Sequence, residues 1–331
     1  MKINFVSTNR NLKTASYRIW VHDLSITMID LKHDVKICDT IKDIETDADV
    51  VILCKSCFKL AEQIKRKLNN VLVGAINVPG DYHSNFIDFV IVGSIEEYTS
   101  MGYYKNVFIY PLIERKFEKL AVKSHNNEKE TFNILFHGNY PHLFKFEPFL
   151  KSAIEKFNTE KKKVVLKVIT SNKNFNWVVG KPNVDVQMYD YDEKFVNIAQ
   201  SCDICVVPNV SDIRLFVKDI VNVTSVEYGL YNTDYFLRMK NKTNSGRAYV
   251  GYQLGLPVVH DLCPSSLELL SKSKHVFCCH DEKSYFKEFE KLLDSELRNT
   301  IAKDNKIMFE KHYDPHKHAE KLIENIRKIN E

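Results

Sequence analysis

The 331-residue chain has no apolar run approaching the roughly 20 residues needed to cross a bilayer. Its first residues, MKINFVSTNRN, pass straight into a strand pattern without a signal-peptide core. Both absences predict a cytoplasmic protein. There is no low-complexity tract and no convincing repeat other than two similar strand and helix alternations. Strong charge of either sign is missing as well. The formal net charge of +4 is too mild for a nucleic-acid protein, though a locally basic face leaves room for peripheral contact with the inner face of a membrane or with phosphorylated substrates. Eight cysteines do not make a disulfide scaffold in a chain of this size. Cys54, Cys205, Cys278 and Cys279 sit in apolar runs and read as buried thiols. The pairs Cys54-x-x-Cys57 and Cys202-x-x-Cys205 have zinc-knuckle spacing, but each lies at a strand rather than in a loop, so no zinc site is expected.

What is present is material for two cores: 44% hydrophobic and 27% charged residues over a length of two ordinary domains. Strand and helix patterns alternate almost throughout, which predicts parallel sheets covered on both faces. In the first half, KINFV is a strand. A helix follows with Tyr17, Trp20, Val21, Leu24, Met28 and Leu31 on one face, then strands near 35–38, 50–53, 71–75, 89–92 and 106–110. Residues 114–130 are charged and poorly periodic and read as a linker between a first domain (1–113) and a second (131–308), with a final helix over 309–331. The second half has strands near 132–136, 164–169, 204–207, 258–260 and 275–277, and helices over 145–157 and 193–200. A long aromatic-rich insertion covers 209–239; such segments usually carry function or are mobile.

The stretch KNKTNSGRAYVGYQLGLPVVHDLCPSSLEL, 240–269, carries the sharpest chemical signal. Asn244 or Ser245 would cap a helix whose unpaired N-terminal N–H groups, with Lys242 and Arg247 beside them, suit a diphosphate. The same two cations also read as an ordinary solvated helix start. A Gly-Leu-Pro turn and a buried strand follow, and Pro264-Ser265-Ser266 opens another helix carrying Glu268.

This order of elements resembles the donor-binding end of GT-B glycosyltransferases, in particular the retaining family 4 and family 1 group. The resemblance extends along the chain: SYRIWVHDLSITMIDLKHDVKI looks like the family's first helix and turn, IDFVIVGSIEEYTSMGYYKNVFIYPLIER like its strand, helix and exit, and FNILFHGNYPHL like the first strand and glycine of the second domain. VDVQMYDYDEKFVNIAQSCDICVVP and the terminal FEKHYDPHKHAEKLIENI complete it. It implies an α/β protein with two Rossmann-like, doubly wound parallel-sheet domains facing a cleft, and a C-terminal helix crossing back to the first. It also implies sugar transfer from a nucleoside-diphosphate sugar to a glycan, lipid-linked or other acceptor, with retention and with no metal or bound cofactor. Two departures stand out. The family's two glutamates, with seven residues between them, correspond to Lys242 and Val250, so the ribose and sugar-hydroxyl contacts are unassigned, with Glu268 the nearest remaining acid in the motif, and Ser7-Thr8-Asn9-Arg10-Asn11 replaces a glycine-rich first loop.

On this reading the donor group is Lys242, Asn244, Ser245 and Arg247, with Gly138 giving close backbone approach and Ser265, Ser266 and Glu268 completing the site. On the acceptor side, Arg10, Arg18, His22 and the segment Pro79-Gly80-Asp81-Tyr82-His83 follow strands. His83 is the candidate general base, with an ordinary surface histidine as the plain alternative. Trp20 and the aromatic insertion would stack on sugars or simply fill the core. Asp47-x-Asp49 and Asp190-x-Asp192 invite a metal but read better as the lead-in to a strand and the cap of a helix. A histidine trio, 312, 316 and 318, is interrupted by Asp314-Pro315. A sugar-nucleotide epimerase and a two-lobed, non-catalytic binding protein remain as alternatives.

Overall fold

The computed structural model describes the chain except residues 55–56, 69, 79–81, 127–130, 144–147, 178–179, 209–244 and 330. The chain divides into two compact units, the first comprising Met1–Glu118 and Lys311–Glu331 with Ser245 and Gly246, the second the rest of 119–310. Each unit holds one six-stranded, all-parallel sheet.

In the first unit the strands are β1 (Lys2–Val6), β2 (Asp34–Cys38), β3 (Val50–Leu53), β4 (Leu72–Ile76), β5 (Phe89–Val92) and β6 (Val107–Ile109), in spatial order β2-β1-β3-β4-β5-β6. The inner strands β3, β4 and β5 are buried at every residue, because helices cover both faces of a parallel sheet; the edge strand β2 alternates instead. After β1 come α1 (Ala15–Tyr17), a π-helical stretch Arg18–Asp23, and α2 (Leu24–Asp30). The predicted apolar face is real: Tyr17, Trp20, Val21, Leu24 and Met28 enter one core with Leu31 packed on it. The helices α3 (Ala61–Lys67) and α4 (Ile95–Thr99) complete the crossovers.

In the second unit β7 (Thr131–Gly138), α5 (Pro148–Phe157), β8 (Lys163–Thr170), β9 (Asp185–Asp190), α6 (Phe195–Gln200), β10 (Ile204–Val207), α7 (Gly246–Gln253), β11 (Val258–Asp261), α8 (Pro264–Leu270) and β12 (Phe277–Cys279) precede α9 (Glu282–Lys291) and α10 (Ser295–His312). The sheet order is β12-β11-β10-β7-β8-β9. Helix α7 ends as the sequence GLP dictates. Gly255 takes φ +73°, its N–H reaches Tyr252 O at 3.1 Å, and Leu256 N–H reaches Gly251 O at 3.0 Å, the paired bonds of a Schellman cap. A Cβ on Gly255 would also stand 2.8 Å from the Lys123 backbone nitrogen.

The last helix, α11 (Pro315–Arg327), returns to the first unit, where Ala319, Leu322, Ile323 and Ile326 join the core around Trp20. Asp314 caps it, accepting from the N–H groups of His316 and Lys317, with Pro315 at the first helical position. The expected start of this helix at 309 falls inside α10; the break is at 313–314. The charged segment expected as a linker is packed rather than loose. Phe117 is fully buried, Glu114 receives a bidentate bond from Arg18 at 2.8 and 2.9 Å, and His125 is buried against Gly255 O and Asn299. Local composition hid this, because the anchoring residues are isolated among exposed lysines.

Candidate functional site

An open parallel sheet binds ligands where its strand order reverses, beyond the carboxyl ends of the two strands that flank the reversal. In the second unit that point lies between β7 and β10, and the residues ending these strands gather there. Gly138 closes β7 opposite Thr170 of β8, while Val207 closes β10 opposite His260 of β11. Gly138 adopts φ +149°, and a Cβ there would sit 3.2 Å from Cδ of Arg247. The glycine therefore lets the arginine side chain lie across the end of β7. Arg247 Nη2 donates to Pro208 O at 2.8 Å, its guanidinium lies 5.9 Å from the centre of the Phe136 ring, and its own carbonyl meets His137 Nε2 at 2.9 Å. Burial lowers the Arg247 pKa from its usual high value, and nearby Cys205, Asp261 and Cys263 oppose that; an arginine stays charged throughout. The result is a fixed cation at the reversal point.

Beside it, β11 ends in two buried ionisable groups. His260 bonds Tyr252 Oη at 2.9 Å, and burial followed by the Arg247 charge pushes its pKa down to about 3, so it is a neutral imidazole. Asp261 accepts from the Tyr285 hydroxyl. Ser245 is buried immediately before α7. Ser265 and Ser266 are buried at the start of α8: Ser266 Oγ donates to Asp261 O at 2.8 Å, and both hydroxyls lie beside the Cys263 thiol at 3.4 and 3.0 Å. Glu268, further along α8, pairs with Lys272 at 2.7 Å. The structure thus joins Gly138 and Arg247, with Ser245 two residues before Arg247 in the chain. It turns Glu268 to a helix-surface ion pair and gives Ser266 a bracing bond. Lys242, Asn244 and the 209–239 insertion lie outside the described residues.

The first sheet reverses between β1 and β3, and beyond their carboxyl ends is a cavity of about 370 Å³ lined by Ser7, Asn9, Ser16, Tyr17, Trp20, Cys54 and Ile76. His83 is not among them: it is exposed, with its ring 3.8 Å from that of Tyr103. Arg18 is spent on Glu114 and the Leu12 carbonyl, and His22 on Asp23. Pro79, Gly80 and Asp81 lie outside the described residues.

The residues weighed as metal ligands have other bonds. Asp47 pairs with Lys2 at 2.9 Å, Asp49 accepts from the Lys2 N–H, and Asp190 pairs with Lys173 at 3.2 Å. Asp192 accepts from Lys194 N, although the residue at the α6 cap position is Lys194 itself. His316 faces Asp30, and His318 bonds the His312 carbonyl. Burial pushes the thiols of Cys54 and Cys202 up to about 12, the protonated, inert form. His137, His260 and Asp261 were not singled out by the sequence. The signal for His137 was its place directly before Gly138; His260 and Asp261 looked like the tail of a buried strand.

Two all-parallel doubly wound sheets with a C-terminal helix packed on the first define the GT-B glycosyltransferase-like fold, and solved structures agree. Sucrose-phosphate synthase from Thermosynechococcus elongatus superposes with a TM-score of 0.58 at 9% identity, over 99% of this chain and 98% of that one. An Escherichia coli trehalose-6-phosphate protein bound with UDP-2-fluoro glucose gives 0.53 at 13% identity, over 92% and 77%. The accessory secretory proteins 1, 2 and 3 of Streptococcus pneumoniae give 0.52 at 10%, over 88% of this chain but 55% of that chain. No protein-family model and no curated protein sequence matches the chain. The likeness is one of fold.

Proposed function

We propose that the protein is a glycosyltransferase that takes a sugar from a nucleoside-diphosphate donor bound at the β7/β10 reversal point and passes it to a glycan, lipid-linked or other hydroxyl acceptor bound by the first unit. The observation that carries this reading is Arg247 laid across Gly138 at the strand ends, in a fold whose similar structures include one bound with UDP-2-fluoro glucose. Breaking the anomeric bond leaves negative charge on the diphosphate. A preorganised guanidinium in a partly buried site stabilises that charge without reorganisation, and the N-terminus of α7, with Ser245 before it, adds N–H donors and a favourable dipole. Lys242 and Asn244 belong to the same proposed group. On this reading the cationic and dipolar contacts stand in for a divalent ion, and the transfer is proposed to retain the donor configuration, as the sequence resemblance implies. His83 is the proposed acceptor-side base, and Ser265 and Ser266 are proposed for the nucleoside end, with Glu268 held apart in its ion pair with Lys272.

The experiment is a thermal-shift panel of nucleoside diphosphates and nucleotide sugars, since a ligand binding only the folded state stabilises it by RT ln(1 + [L]/Kd). One base should raise Tm clearly above the others, and its sugar conjugates should then be tested for release of nucleoside diphosphate in the presence of acceptor. Release of free sugar from donor alone, without acceptor, would favour an epimerase-type reaction instead.

A further inference from the structure

The cavity at the reversal point of the first sheet differs in chemistry from the one in the second. Among the described residues its polar lining is uncharged: the hydroxyls of Ser7, Ser16 and Tyr17, the Asn9 amide, the Cys54 thiol and the Trp20 indole. Among the described residues the Ser16 and Tyr17 hydroxyls make no hydrogen bond, and the buried indole N–H of the lining residue Trp20 has no acceptor. Trp20 is 2% exposed and its Nε1 is sealed from solvent, so this donor carries the cost of a buried polar group without an acceptor. It lies in the π-helical stretch Arg18–Asp23, and π turns inside helices recur at functional sites. A Cβ at Gly93 would stand 2.2 Å from Leu112 Cδ1 and 3.1 Å from Trp20 Cζ2, so the glycine keeps room for both side chains.

Among the described residues, the arginines beside the cavity are already paired. Arg10 pairs with Asp39 at 2.6 Å, and Arg18 is held by Glu114. Burial raises the Tyr17 phenol and pushes the Cys54 thiol up to about 12, so both are neutral at physiological pH. The volume of about 370 Å³ lies within the roughly 300–1,000 Å³ of small-molecule sites. An aromatic ring, an aliphatic wall at Ile76 and neutral donors and acceptors suit a ring with apolar C–H faces and many hydroxyls. Among the described residues the lining brings no cation to pair with a phosphate or carboxylate.

We infer that this cavity is the subsite for an uncharged, unphosphorylated sugar ring, held against Trp20 and hydrogen-bonded by Tyr17, Ser16 and Asn9. Its role as acceptor site rests on the glycosyltransferase reading; sugar binding itself does not. The test uses the full chain carrying Trp177→Phe, which leaves Trp20 as the single tryptophan, titrated with methyl glycosides of neutral hexoses and N-acetylhexosamines, with glucose 6-phosphate and with glucuronate. At least one neutral glycoside should change Trp20 emission saturably and bind about tenfold more tightly than its charged counterpart, and Tyr17→Phe and Ser16→Ala should each weaken it about fivefold. Both variants remove one oxygen with little change of shape, so folding is preserved. No response to any neutral sugar, tighter binding of the charged ones, or unchanged binding in both variants would overturn the assignment. Sugar binding without nucleoside-diphosphate binding would sink the transferase reading alone, and the reverse would sink this subsite alone.

Discussion

The two sheets reverse their strand order in the same way and expose equivalent strand ends, yet the two reversal points carry opposite chemistry. In the first unit the strand ends meet a cavity of hydroxyls, an amide and an indole, with the neighbouring cations neutralised by Asp39 and Glu114. In the second, a guanidinium lies over a bare glycine, flanked by a buried neutral histidine and a buried carboxylate. Topology fixes where a ligand binds, and a handful of strand-end residues fixes which ligand. The proposed reading gives a diphosphate to one and a neutral sugar to the other.

The strongest way to break this contrast is to fill the second site. Gly138→Val places a branched side chain where Arg247 lies and forces a valine to φ +149°. We expect nucleoside-diphosphate affinity to fall about 100-fold, roughly 2.7 kcal/mol, while neutral-sugar binding by the first unit is unchanged. Calorimetric titration of both ligands against this variant measures each arm, and equal losses would mean a folding defect rather than a blocked site.

Acid should separate the units next. His260 and His125 have pKa values pushed down to about 3 and about 4 from an ordinary 6.5, mainly by burial. The unfolded chain therefore takes up their protons first, so the stability they support is complete above about pH 6.5 and falls as the pH drops toward the folded values. By pH 5 each contributes a loss of about 2 kcal/mol. Both belong to the second unit, so hydrogen exchange at pH 5 against pH 8 should show its core opening first. Uniform protection across the two sheets at pH 5 would contradict this.

Smaller effects sharpen the boundary of the donor site. Glu268 is paired with Lys272 on the helix surface, and Glu268→Gln should change nucleotide affinity and stability by less than about 0.5 kcal/mol. A tenfold loss of affinity would instead establish it as a ribose ligand. Smallest of all, excess EDTA should leave sugar transfer unchanged, because the diphosphate charge is met by Arg247 and helix N–H groups. Loss on chelation with rescue by Mg²⁺ would require a metal at the donor.

The fold was legible because its signals are redundant. Inner strands such as VVIL and FVIV are continuous apolar runs that only a doubly covered parallel sheet explains, and GLP and DP mark helix ends by backbone chemistry. β9 was missed because it is an edge strand, DVQMYD, with polar residues at half its positions and no full burial. At the site, Gly138 and Arg247 stood out as residue types, but their mutual contact joins positions 109 residues apart and no local pattern encodes it. His83 was chosen because it follows a strand; it is exposed, with its ring beside Tyr103 and outside the cavity lining. Tyr17 and Trp20 fell on the predicted core face, and periodicity alone cannot show that such a face also borders a cavity.

The most direct test of the central claim is calorimetric titration of the wild-type chain and Arg247→Gln with the nucleoside diphosphates of uridine, guanosine, thymidine, cytidine and adenosine. The account predicts that the wild type binds one of them preferentially. Arg247→Gln, with its fold verified by an unchanged urea transition, should lose about 1–3 kcal/mol of that affinity. A wild type that binds none of the five, or a variant that binds as tightly as the wild type, would contradict the assignment of this strand-end site to the donor.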